Sequence, residues 1–262
     1  MTHRADSAYG NVLLEIGPGM SSQLSLFESP EAMEPWTVRV SRRARRLSVR
    51  VFPGGRVEVV VPQGVSAVAV QRFVDLHRQW IQRRIEDFST VARPSQEPRP
   101  ALISLPAIAR QYDVDYRRTS ASVRVLTGVA DTLLVQGAVQ DERAVAGALR
   151  RWLVSLAEIE FSRSLRAVAQ QCELPFRRVQ IRRQRTRWGS CSASGTISLN
   201  VCLMFTSPAV LRYLFIHELC HTRFMNHSRH FWSLVASYEP AYRQLDRELS
   251  RAWKDVPSWM LA

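Results

Sequence analysis

A chain of 262 residues, 46% of them hydrophobic, is long enough for one large or two small domains with a buried core. Its 36 basic and 23 acidic residues give a net charge of +13, a balance that disfavours cationic partners and suits anionic ones. The four cysteines form no C-x-x-C pair and show no disulfide-rich framework, and no apolar run reaches the length of a signal peptide or membrane span, so a cytoplasmic protein without a membrane partner is expected.

In chain order, residues 1–34 mix Gly, Ser, Pro and Glu and read as a flexible extension. Trp36–Arg42, Arg45–Phe52 and Arg56–Val61 carry strand patterns, with Pro53-Gly54-Gly55 as a hairpin turn. Ser66–Phe88 reads as one long amphipathic helix, and the prolines of residues 93–100 form a connection. Arg110–Tyr116, Val123–Leu126 and Thr132–Val135 suggest a second small sheet, so residues 35–136 form a β-rich module.

Residues 137–262 are expected to form the second domain. Asp141–Gln171 is the longest helical pattern, with Trp152, Leu153, Leu156 and Ile159 assigned to one face. Val179–Arg182, Thr186–Cys191 and Thr196–Asn200 read as strands, the last two joined by a turn at Ala193-Ser194-Gly195. Ser207 is a helix N-cap with Pro208 at the first helical position, and Ala209–Met225 then runs without glycine or proline to Asn226, a plausible left-handed terminator. A further helix starts near Ser228. Trp232, Trp253 and Trp259 are read as packing residues, and Cys220 as a small buried hydrophobe.

His217-Glu218-Leu219-Cys220-His221 concentrates the chemistry. Residues four apart lie on one helix face, so two imidazoles at that spacing can grip one ion, with a carboxylate beside them to take a proton from water. Four of the six histidines, His217, His221, His227 and His230, lie in this region behind the apolar run Tyr213-Leu214-Phe215-Ile216. Burying two such rings without partners is costly, and a shared metal supplies the partner. His227, six residues after His221, ranks first as third ligand, because that interval works in the H-E-x-x-H-x-x-G-x-x-H arrangement; Phe224 occupies the glycine position here. His230 and Glu239 are the competitors, His230 reading as a residue outside the ligand set and Glu239, before Pro240, as a helix end.

Upstream stand R-W-G-S-C-S, Arg187 to Ser192, and G-T-I-S-L-N, Gly195 to Asn200; downstream stand H-E-L-C-H and N-H-S-R-H-F-W, the latter Asn226 to Trp232. In this order and spacing the four pieces resemble the YgjP-like metallopeptidase family, which is related in its core to the SprT-like and WLM zinc proteases. The resemblance extends to Ser41–Arg46, the Pro53-Gly54-Gly55 turn, Val61-Pro62 and Trp80-Ile81. It implies an α+β protein with a zincin-like catalytic domain behind the β-rich module, one Zn2+ per protomer on His217, His221 and His227, and Glu218 as general base. The implied reaction is hydrolysis of peptide bonds by water activated on the metal. Arg187 and the backbone N–H groups around Trp188 and Ser190 are candidates to meet the developing oxyanion or the substrate.

Two other readings stay open. Some relatives are discussed as nucleotide phosphohydrolases, so a metal-dependent nucleoside triphosphate pyrophosphatase is the rival enzyme, although the chain lacks a P-loop. A DNA-associated zinc protein is the other, by analogy with SprT-like relatives that act on DNA-associated proteins. The basic surface is expected to bind nucleic acid or nucleotide weakly, since no recognised nucleic-acid motif is present and arginine stands at every basic position but Lys254, as a GC-rich coding bias would produce. Substrate identity and oligomeric state are left open by the sequence.

Overall fold

The computed structural model describes residues 11–14, 36–52, 55–89 and 99–261. The chain divides into two compact units, Met1–Ala92 and Arg93–Ala262. The boundary expected at residue 136 therefore falls inside the second unit, and the second small sheet belongs with the helices that follow it.

The first unit is a four-stranded sheet carrying two helices. Strands β1 (Asn11–Leu14), β2 (Trp36–Ser41), β3 (Leu47–Val51) and β4 (Val57–Pro62) are ordered β1-β3-β4-β2, with β2 parallel to β4 and the other pairs antiparallel. Alternate residues Leu47, Val49 and Val51 of β3 and Val57, Val59 and Val61 of β4 face one core with Phe73, as the two-residue strand period requires. Apart from β1, the expected extension over residues 1–34 lies outside the described residues, as do Pro53, Gly54 and the connection at 93–98.

The single helix expected over Ser66–Phe88 is two, α1 (Ala67–Leu76) and α2 (Arg78–Ser89). His77 causes the break. Its buried ring donates from Nδ1 to the Phe73 carbonyl at 2.7 Å, the acceptor a continuing helix would give to its backbone N–H, which bonds to Val74 O instead.

The second unit opens with β5 (Leu102–Leu105), β6 (Arg110–Arg118), β7 (Arg124–Thr127) and β8 (Thr132–Gly137), ordered β5-β6-β8-β7. The sequence reading missed β5, a short strand that pairs with β6 alone. Helix α3 (Glu142–Gln171) is capped by Asp141, whose side chain accepts from Ala144 N at 3.0 Å. Its buried stripe is Val145, Leu149, Leu153, Ala157, Phe161 and Leu165. This corrects the expected face. Ile159 is 67% exposed, whereas Trp152 packs edge-on to Tyr112 of β6 at 5.1 Å, tying α3 to the sheet.

A mixed three-stranded sheet follows, ordered β10-β11-β9, from β9 (Arg178–Arg182), β10 (Gly189–Cys191) and β11 (Thr196–Asn200). β9 runs parallel and β10 antiparallel to β11. The expected turn joins β10 to β11, with Gly195 at φ 74° and its N–H donating to Ser192 O at 2.9 Å. Helices α4 (Pro208–Cys220), α5 (Arg229–Tyr238) and α6 (Tyr242–Arg251) follow, and a short helix, Ser258–Leu261, ends the described chain. α4 packs on α3 through Phe215 and Phe161, edge-on at 5.9 Å. Among the described residues no helix is long and apolar enough to cross a membrane.

Candidate metal centre

Helix α4 begins as its sequence dictates, with Ser207 Oγ accepting from Val210 N and Pro208 at the first position. It ends earlier than expected, at Cys220, with His221 as its cap in right-handed geometry. Asn226 is not among the described residues with positive φ, so it does not terminate the helix as expected. The chain instead leaves through a tight turn in which Thr222 N bonds to Leu219 O and Phe224 N to Cys220 O. The His221 ring fastens that turn, donating from Nδ1 to the Phe224 carbonyl at 3.0 Å.

The turn carries His227 back over α4. One ligand atom from each of His217, His221 and His227 lies within 4.8 Å of the others, and Nε2 of His217 and Nε2 of His227 are 3.2 Å apart. Two nitrogens bound at ~2.0–2.1 Å to one tetrahedral ion would be separated by about 3.3 Å. His217 and His221 are buried and His227 is half-buried. Burial, and then the neighbouring His221 and His227, hold His217 well below the usual imidazole range, which keeps it neutral with a lone pair to offer a cation. The donor set therefore fits a divalent metal of borderline softness.

The partners of the outer ring nitrogens set which nitrogen faces inward. Tyr213, one turn before His217, has its hydroxyl 3.4 Å from His217 Nδ1 and donates to Asp246 Oδ1 of α6 at 2.9 Å. Burial and the Asp246 carboxylate push the Tyr213 phenol far up, so it stays protonated as that donor. Its oxygen is then left to accept from His217 Nδ1–H, directing Nε2 toward the other rings. Phe231 of α5 stacks on His221 at 4.5 Å, and Trp232 stacks on His227 at 5.5 Å, so these two aromatics wall the cluster. The sequence reads Trp232 only as packing, since its place one residue after Phe231 gives no sign that it covers His227.

Glu218 is fully buried. Strand β10 lies directly against it: a Cβ placed on Gly189 would sit 2.5 Å from Oε1 and 2.9 Å from Cδ of Glu218. Any side chain there would have to push the Glu218 carboxylate aside, which glycine avoids. The approach is held from behind by buried Asn200, whose Nδ2 donates to Gln184 O and Arg187 O, both at 2.8 Å, while its Oδ1 accepts from Cys202 N.

Of the upstream candidates, Trp188 has a buried ring stacked on Trp253 at 4.2 Å, so only its backbone could meet a substrate. Arg187 and Ser190 are half-buried on either side of Gly189. His230 is exposed and stacks on Phe224, and Glu239 caps α5 and lies 3.8 Å from Arg212; neither is in the cluster. Cys220 is fully buried, its thiol pushed up to about 12 by burial.

No curated protein and no solved structure matches the chain. A family model does, over residues 45–252, and its description is that of a YgjP-like metallopeptidase domain. That span contains the whole histidine cluster, Glu218, and the strand and helix that enclose them. By that match, over most of its length, the chain belongs to the YgjP-like metallopeptidase domain family.

Proposed function

We propose that the protein is a zinc-dependent peptidase of zincin-like architecture, with His217, His221 and His227 as the ligands of one zinc ion and Glu218 as the general base. One observation carries the reading: three converging imidazoles with a fully buried carboxylate one residue after the first of them. A mixed sheet beside the helix that carries H-E-x-x-H supports the architecture. Zinc held by these three histidines would supply a Lewis acid to polarise a scissile carbonyl and acidify water.

The chain's own residues supply the remaining steps. Glu218 takes the proton of the attacking water and returns it to the departing nitrogen, so one carboxylate serves as base and then acid. Gly189 permits that carboxylate to lie against β10. Arg187 and the N–H groups of Trp188 to Ser190 are the donors proposed for the developing oxyanion.

The test compares zinc-loaded parent and Glu218→Gln proteins on an unbiased peptide library and a panel of nucleoside triphosphates. Metal-dependent peptide products are expected from the parent, reduced by about 10²–10⁴-fold in the variant, since glutamine keeps the shape but accepts no proton. Zinc content should be equal in the two. Pyrophosphate release without peptide products would replace the peptidase with a nucleotide hydrolase, and zinc lost from the variant would make Glu218 a ligand.

A further inference from the structure

The segments that build the cleft are nearly free of acid. From Leu174 to Tyr238, the span that supplies β9, β10, β11, α4 and α5, Glu218 is the only acidic residue and nine residues are arginine. Glu218 is fully buried, so no carboxylate from this span reaches the surface around the site.

Five of the arginines are placed about the cleft. Arg185 and Arg187 stand on the loop pinned by Asn200, which runs straight into Gly189 beneath Glu218. Beyond the other end of β10, Arg177 lines a groove of about 440 Å³ with Phe176, Ser192, Thr222 and Met225. The backbone N–H of Arg177 donates to Gly195 O at 2.8 Å, which fixes this segment to the β10–β11 turn. Arg223 and Arg229 are exposed on either side of His227. Among the described residues none of these five forms an ion pair, whereas Arg212 of the same span lies 3.8 Å from Glu239.

Cations of one sign around a cleft with low-dielectric walls focus a positive potential into it. Cations at both ends of β10 would meet a bound chain on both sides of the bond placed at Glu218. A single nucleic acid strand would use stacking surfaces as well as cations. The one aromatic residue of the arginine loop, Trp188, is 1% exposed and already stacked on Trp253.

We propose that the cleft selects polypeptides with acidic side chains on both sides of the scissile bond. This rests on the peptidase reading for its chemistry, while the selectivity is a property of the binding surface.

The experiment uses the full-length, zinc-loaded protein and three peptide sets with identical central residues and flanks of Asp/Glu, Asn/Gln or Lys/Arg. The acidic set should be cleaved with kcat/KM about tenfold above the amide set at low salt, chiefly through KM, and the advantage should shrink as salt screens it. In an Arg177→Glu, Arg185→Glu double variant the ratio of acidic to amide cleavage should fall to unity or below. Binding of fluorescent versions of the same peptides to zinc-loaded Glu218→Gln protein reads the selectivity without turnover. Equal cleavage and equal binding of the three sets would overturn the proposal while leaving the peptidase reading intact, as would single-stranded DNA bound more tightly than the acidic peptides. Preferential binding of acidic peptides that the parent does not cleave would uphold the selectivity and remove the peptidase reading.

Discussion

Gly189 is the residue on which the placement of Glu218 turns. A methyl group there would come within 3.0 Å of three atoms of the glutamate, Oε1, Cδ and Cγ, and the mobile partner in that collision is the carboxylate. Gly189→Ala should therefore displace the proposed general base by a fraction of an ångström to an ångström, and misplacement on that scale can cost on the order of 10²-fold in rate. The loss should appear in kcat, with zinc content unchanged. Added to Glu218→Gln, the same substitution should cost nothing more, because the two act on one group. Parent-like hydrolysis by Gly189→Ala would show that Glu218 works from another position. The histidines were legible because the i, i+4 spacing of His217 and His221 places both on one face of a helix wherever the helix lies. Gly189 was legible only as a member of a motif: its function arises where a strand from one part of the sequence meets a helix from another, and no local pattern encodes that approach.

The elements position the histidine cluster through α6 as well as α4. Tyr213 lies one turn before His217 and hands its hydroxyl hydrogen to Asp246, so α6 reaches the His217 ring through two side chains. Tyr213→Phe keeps the ring that packs edge-on to His217 at 5.9 Å but removes the oxygen. Losing such an outer partner typically weakens metal binding by about 10–100-fold. Competition against a chromogenic chelator should show a loss of that size for zinc, with Asp246→Asn affected in the same direction; unchanged affinity in both would confine the pair to packing α6 on α4. Tyr213 could have been found from its spacing to His217, whereas Asp246 lies 33 residues from Tyr213 and is brought to it only by the return of α6. The element ends were misread for a related reason. His77 breaks α1 from α2 and His221 closes the turn after α4, each by offering a ring N–H to a backbone carbonyl, an alternative that residue periodicity does not register.

At the scale of the whole molecule, the boundary between units lies far upstream of the site. Every residue assigned to the centre, from Arg187 and Gly189 to Asp246, belongs to the unit Arg93–Ala262, while the first unit has a core of its own built from β3, β4 and α1. Composition could not locate this boundary, because β-rich sequence continues past it: β6 to β8 read like more of the first module until α3 is seen to pack on them through Trp152 and Tyr112. A domain with its own core and all the ligands of a site should keep that site when separated. Residues 93–262 produced alone should unfold in one cooperative transition, bind one zinc ion per chain with an affinity within a few-fold of the full-length protein, and gain stability on zinc addition in proportion to the logarithm of its concentration. An expressed unit that is folded by circular dichroism yet holds no zinc would mean that the first unit organises the histidine cluster, and the division of labour between the two units drawn here would have to be abandoned.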